Sequence, residues 1–104
     1  MAFTLKGMFG LEGKIAMITG GNGGIGFGIA KGLAGAGANI VIAARNQTKT
    51  DKAVAQIKDE YGVEALGLSL DVLQEDQVQA TFRQAVETCG KVDILVNHAG
   101  MGIH

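Results

Sequence analysis

Four short apolar runs punctuate the chain: KIAMIT at Lys14–Thr19, NIVIAA at Asn39–Ala44, ALGLSL at Ala65–Leu70 and VDILVN at Val92–Asn97. Each is nearly continuous rather than alternating, the pattern of a strand covered on both faces, as in a parallel sheet. The intervals between them carry a longer period. Ile25, Ile29 and Leu33 form one stripe, Val54, Ile57 and Tyr61 a second, and Val78, Phe82, Ala85 and Cys89 a third. Spacings of three and four residues with polar positions between them predict three amphipathic helices. Gly62 and Gly90 stand just past the second and third helices, where a helix ends on a left-handed residue. The acidic residues of LQED, before Gln77, suit the positive end of the third helix.

The predicted order is therefore β-α-β-α-β-α-β. Its repeat of about 25–30 residues is the span of a βαβ unit. Such a repeat implies an α/β fold whose parallel sheet is joined by right-handed crossovers. The N-terminal dozen residues read as a loose arm or a short edge element.

Composition narrows the setting. A chain of 104 residues reads as one domain, 1–104, able to bury roughly two-thirds of its unfolded surface. The net charge of -1 argues against a broad electrostatic surface for nucleic acid or acidic membranes. No apolar run approaches the roughly 18 residues that span a bilayer, and the start has no secretory pattern. A single cysteine, Cys89, cannot close an intramolecular disulfide and fits a reducing compartment. The expected setting is the cytoplasm.

The 17 glycines change the picture most. Five of them fall in TGGNGGIG, Thr19–Gly26, between the first strand and the first helix. At such a junction backbone N–H groups and the positive helix end converge, which suits a phosphate or pyrophosphate. Gly20 can turn the chain out of the strand, and Gly24 and Gly26 admit a ligand or a neighbouring strand close to the backbone. Gly28, Gly32 and Gly35 are expected to thin the first helix against the sheet. The alternative is a glycine-rich turn that binds nothing. At the end of the second run stand Ala44, Arg45 and Asn46, with no carboxylate to hold a ribose 2′-hydroxyl. An arginine there binds a 2′-phosphate through a charge-assisted fork, which favours NADP over NAD. The alternative for Arg45 is a solvated loop charge. Asp71–Val72 and NHAG, Asn97–Gly100, follow the third and fourth runs and fall on the same edge, the carboxyl ends of the strands.

Together these segments resemble the short-chain dehydrogenase/reductase family. Thr19, Gly20, Gly24 and Gly26 match its T-G-x-x-x-G-x-G motif, LDV at Leu70–Val72 its adenine segment, and VNHAG its fourth-strand ending, with His98 in place of a second Asn. LEGK at Leu11–Lys14 is similar to the family's lead-in. The resemblance implies a Rossmann-like, partial doubly wound sheet of four strands in order 3-2-1-4. Two helices would cover one face and the third helix the other. It implies that Gly20, Asn22, Gly24, Ile25 and Gly26 border pyrophosphate and ribose, that Arg45 and Asn46 meet the 2′-phosphate, and that Asp71 and Val72 meet adenine. Asn97, Ala99 and Gly100 would lie on the nicotinamide side, with Asn97 equally a tie between strands.

The family's chemistry uses a Tyr-x-x-x-Lys pair and a serine, later in a longer chain. Here the single tyrosine, Tyr61, is followed four positions on by Ala65. No catalytic residue is assigned, and His98 and His104 lack a third ligand for a metal. The expectation is thus an NADP(H)-binding, short-chain dehydrogenase/reductase-like oxidoreductase segment, truncated relative to the family and weak or inactive alone. The alternative is a non-catalytic cofactor-sensing or interaction module that self-associates or pairs with a longer relative. A homo-oligomer through the fourth-strand edge or the open sheet face is expected in either case.

Overall fold

A computed structural model describes residues 10–20, 22–70 and 75–97. The elements follow the predicted order: β1 (Ile15–Thr19), α1 (Gly24–Gly35), β2 (Asn39–Ala44), α2 (Gln47–Tyr61), β3 (Ala65–Ser69), α3 (Glu75–Cys89) and β4 (Ile94–Asn97). The four strands are parallel, in order β3-β2-β1-β4. This is the α/β, Rossmann-like arrangement of a partial doubly wound sheet.

Alternation along the central strands builds two cores. Ala16 and Ile18 of β1 join Ile40 and Ile42 of β2 under α1 and α2, where Ala30, Ala34, Ala53 and Ile57 are buried. Ile15, Met17, Val41 and Ala43 face the other way and meet Ala85, with Val78, Phe82 and Cys89 of α3 packed alongside. A strand that feeds both cores has no polar face to show, which is why its sequence reads as an unbroken apolar run. Burial raises the pKa of the Cys89 thiol, in keeping with a residue that packs rather than reacts.

The stripe read for α1 needs correcting. Its buried positions are Gly26, Ala30 and Ala34, while Ile29 and Leu33 are half-buried at the margin and Ile25 is 73% exposed. Nor do Gly28 and Gly32 thin the helix against the sheet. Both are exposed, and a Cβ on either would meet nothing within 4 Å. Gly35 faces Tyr61 of α2, whose ring would lie 3.6 Å from an added Cβ. The small residues that admit the sheet are one position along from the large ones. Large apolar side chains dominate a sequence stripe, but close helix–sheet packing selects the row with the least bulk.

Close approach does require a glycine at Gly67 in β3. A Cβ there would lie 2.8 Å from Thr50 Cγ2 and 3.3 Å from Val54 Cγ2, so its absence lets the first half of α2 settle onto the sheet. Thr50 is fully buried as a result. At the helix ends, Gly62 (φ 67°) and Gly90 (φ 88°) adopt the left-handed conformation expected of them.

Candidate functional site

The registers Thr19↔Ala43 and Thr19↔Asn97 bring the carboxyl ends of β1, β2 and β4 level, and Ala44↔Ser69 adds β3. In an open parallel sheet this edge, at the point where strand order reverses, is where ligands are received. Here the reversal lies at β1, whose neighbours are β2 and β4.

Chain direction after β1 is set by Gly20, at φ 71°, whose N–H donates to Ala43 O over 2.8 Å. Gly24, at φ 57°, opens α1, and an added Cβ there would point into open space. The N-cap of α1 is Gly23, and no side chain caps the first-turn amides. The first turn carries no acidic residue. A helix terminus of this kind presents N–H donors and partial positive charge to the crevice, the chemistry that suits a phosphate. Exposed Ile25 borders it and buried Gly26 lies beneath.

A second helix start adjoins the first. Asn46 caps α2, its Oδ1 accepting from Lys49 N at 3.0 Å. Asn22 Nδ2 donates to Thr50 Oγ1 at 3.2 Å, which ties the glycine turn to the first turn of α2. Lys49 reaches across the same seam: a Cβ built on Gly23 would lie 2.6 Å from Lys49 Nζ and 2.8 Å from its Cε. Arg45, at the end of β2, is exposed. Among the described residues neither cation is paired with a carboxylate, the single ion pair being Lys91–Asp93.

On the far side, Thr19 Oγ1 donates to Asn97 Oδ1 at 2.8 Å and thus joins the ends of β1 and β4. The strand-tying reading of Asn97 is present in the structure. Thr19 and Asn97 also line a groove of about 390 Å³ with Met17, Phe82 and Leu95, between α3 and the β1–β4 face. Asp71, Val72, Ala99 and Gly100, with His98 and His104, lie outside the described residues. Among the described residues, no group of His, Cys, Asp or Glu could hold a metal ion, and no helix is long and apolar enough to cross a membrane.

The structure thus brings Gly20, Asn22, Gly24, Ile25 and Gly26 together with Arg45 and Asn46 on one side of the strand ends, and places Asn97 on the other. Sequence reasoning missed three contributors. The capping role of Asn46 had a signal, an Asn directly before a polar helix start. Thr50 and Lys49 had none, because their contacts cross from one helix to the turn before another.

Comparison with known proteins accords with this geometry. A family model described as short chain dehydrogenase matches residues 14–104. The 2-dehydro-3-deoxy-D-gluconate 5-dehydrogenase of Formosa agariphila is 42% identical over 95 residues, covering 90% of this chain and 36% of that one. L-sorbose reductase from Gluconobacter frateurii, solved with NADPH and L-sorbose, is 40% identical with a TM-score of 0.82, covering 88% of this chain and 35% of that chain. An NAD+-bound xylitol dehydrogenase is 35% identical with a TM-score of 0.77, over 82% of this chain and 32% of that chain. The chain spans about a third of the length of these relatives.

Proposed function

Because the chain belongs to the short-chain dehydrogenase family, we propose that it holds a nicotinamide dinucleotide for an oxidoreductase that moves hydride between nicotinamide and a carbonyl or alcohol. The preferred form is NADP(H), with NAD(H) the alternative. The observation that carries this reading is the glycine-built N-terminus of α1, uncapped by any side chain, beside the exposed Arg45 at the end of β2.

In this reading Gly20, Asn22, Gly24, Ile25 and Gly26 border the pyrophosphate and its ribose. Arg45 and Asn46 meet the 2′-phosphate, Asp71 and Val72 the adenine, and Asn97, Ala99 and Gly100 the nicotinamide side. The guanidinium fork suits a phosphate monoester, whereas a carboxylate at this strand end would repel it. The NADPH of the sorbose reductase structure supports the same choice, and the NAD+ of the xylitol dehydrogenase structure is the ground for the alternative. When bound, the nicotinamide supplies the hydride chemistry, and the chain binds and orients it. These 104 residues hold no Tyr-x-x-x-Lys pair, so we assign binding and positioning and no proton-transfer step. Weak or absent turnover by the chain alone belongs to this reading, as does a reducing, cytoplasmic setting, with which free Cys89 accords.

Parallel calorimetric titrations of the chain with NADPH and NADH test the reading. NADPH is expected to bind more tightly, and Arg45→Ala to weaken NADPH by roughly ten-fold while sparing NADH. A folded chain that binds neither nucleotide refutes it.

A second reading rests on β4. Among the described residues nothing pairs with its outer side, and Leu95 is 50% exposed there, beside the groove under α3. An apolar strand edge favours association with a second copy or a longer relative, which suits a cofactor-sensing or interaction module. Sedimentation as a clean monomer at tens of micromolar refutes self-association.

A further inference from the structure

Gly23 is not a glycine for conformational reasons. Its φ of -175° and ψ of 167° are extended backbone, open to any residue. What a side chain would meet is Lys49, whose Nζ stands 2.6 Å from an ideal Cβ position. Bare backbone at Gly23 is therefore the space into which the lysine of α2 folds.

That placement is electrostatically unfavourable on its own. The ammonium lies at the N-cap of α1 while its backbone belongs to the first turn of α2, so two positive helix ends adjoin it. Neither first turn contains an acidic residue. Arg45, four positions earlier, adds a second cation at the end of β2. Among the described residues no carboxylate pairs with either. A cation held there is stabilised by an anion of high charge, and a phosphate monoester carries about -1.5 to -2 at neutral pH.

We infer that Lys49 is a specificity-determining residue, pairing with Arg45 on the 2′-phosphate of NADP(H), its ammonium lying over Gly23 at the N-cap of α1. This rests on the dinucleotide reading above and adds a residue that reading does not contain. The stem of Lys49 comes from α2, and the seam between α2 and the glycine turn is fixed by the hydrogen bond from Asn22 to Thr50. The backbone that carries the exposed ammonium thus belongs to a helix held against the turn. Arg45 supplies a planar fork and Lys49 a point charge from another direction.

The test is calorimetric titration of the wild-type chain, Arg45→Ala, Lys49→Gln and Lys49→Arg with NADPH, NADH and adenosine 2′,5′-bisphosphate. Each variant is first checked for native circular dichroism and melting temperature. Lys49 is exposed, so the folds are expected to survive. Lys49→Gln is expected to weaken NADPH and the bisphosphate by roughly ten-fold, to leave NADH within about two-fold, and to be rescued by Lys49→Arg. Equal weakening of NADPH and NADH overturns the inference, because it places the ammonium on the pyrophosphate. An unchanged NADPH-to-NADH ratio in Lys49→Gln, with Arg45→Ala still lowering it, overturns Lys49 alone and leaves the dinucleotide reading standing. Failure of the wild-type chain to bind either nucleotide removes that reading, and this inference with it.

Discussion

Replacing Gly67 by alanine tests how the site is held together. The new Cβ would lie 2.8 Å from Thr50 Cγ2 and 3.3 Å from Val54 Cγ2, against ordinary contacts of about 3.5–4.0 Å. Both neighbours are β-branched and stiff about χ1, so neither can swing aside cheaply, and Thr50 is fully buried. Overpacking of this kind costs about 1–3 kcal/mol. In a chain of this size each kcal/mol lowers the melting temperature by roughly 4–8 °C. Thr50→Ser removes the clashing methyl and keeps the hydroxyl that accepts from Asn22. Alone it loses about 1 kcal/mol of buried methyl. Combined with Gly67→Ala it vacates the space the new methyl needs, so the penalty of Gly67→Ala should shrink by about 1 kcal/mol or more; Val54 leaves a remainder. The assay is urea and thermal denaturation of the four proteins by circular dichroism, read as a double-mutant cycle. A Gly67→Ala chain as stable as wild type refutes the reasoning. So do penalties that add to within about 0.5 kcal/mol, because contacting residues should not add.

Asp93 Oδ2 accepts from Ile15 N at 2.8 Å and pairs with Lys91 Nζ at 3.2 Å, which fixes the start of β4 against β1. That backbone hydrogen bond first, and Lys91 after it, lower the Asp93 pKa below its ordinary 3.8. The folded value is the depressed one, so the stabilisation is complete above the ordinary value and is lost as pH falls from there through the folded value. Urea midpoints measured between neutral pH and the acid limb should therefore fall less steeply in Asp93→Asn, and an unchanged acid limb refutes the assignment. Asn46→Ala should cost about 1 kcal/mol through loss of the α2 cap, whereas Asn46→Asp keeps the cap. Because an added carboxylate repels phosphate, Asn46→Asp should melt like wild type yet lose its preference for NADPH in titrations, and retention of that preference counts against a phosphate beside residue 46.

The order of elements was legible because both regular structures write their period into the sequence. The runs at Ile15–Thr19 and Asn39–Ala44 read as unbroken because residues 15–18 and 40–43 face the two cores in alternation. The left-handed stops at Gly62 and Gly90 were equally local, since one residue's φ decides them. The glycine turn was legible too, its residues being contiguous and its place between strand and helix following from the order. The identity of the buried row on α1 was not. Ile25, Ile29 and Leu33 outweigh Gly26, Ala30 and Ala34 in any hydropathy pattern, yet the smaller row is buried because the sheet must come close.

The same limit applies at the site. Sequence by itself determined that a glycine turn follows the first strand and that an arginine, not a carboxylate, follows the second. Only the tertiary structure decided what surrounds them: Gly67 admitting Thr50 to the sheet, Thr50 holding Asn22, and Lys49 lying over Gly23. Each of these pairs joins residues from separate elements. Their meeting is fixed by how α2 seats on β3 and against α1, and packing of that kind leaves no period or spacing in the chain.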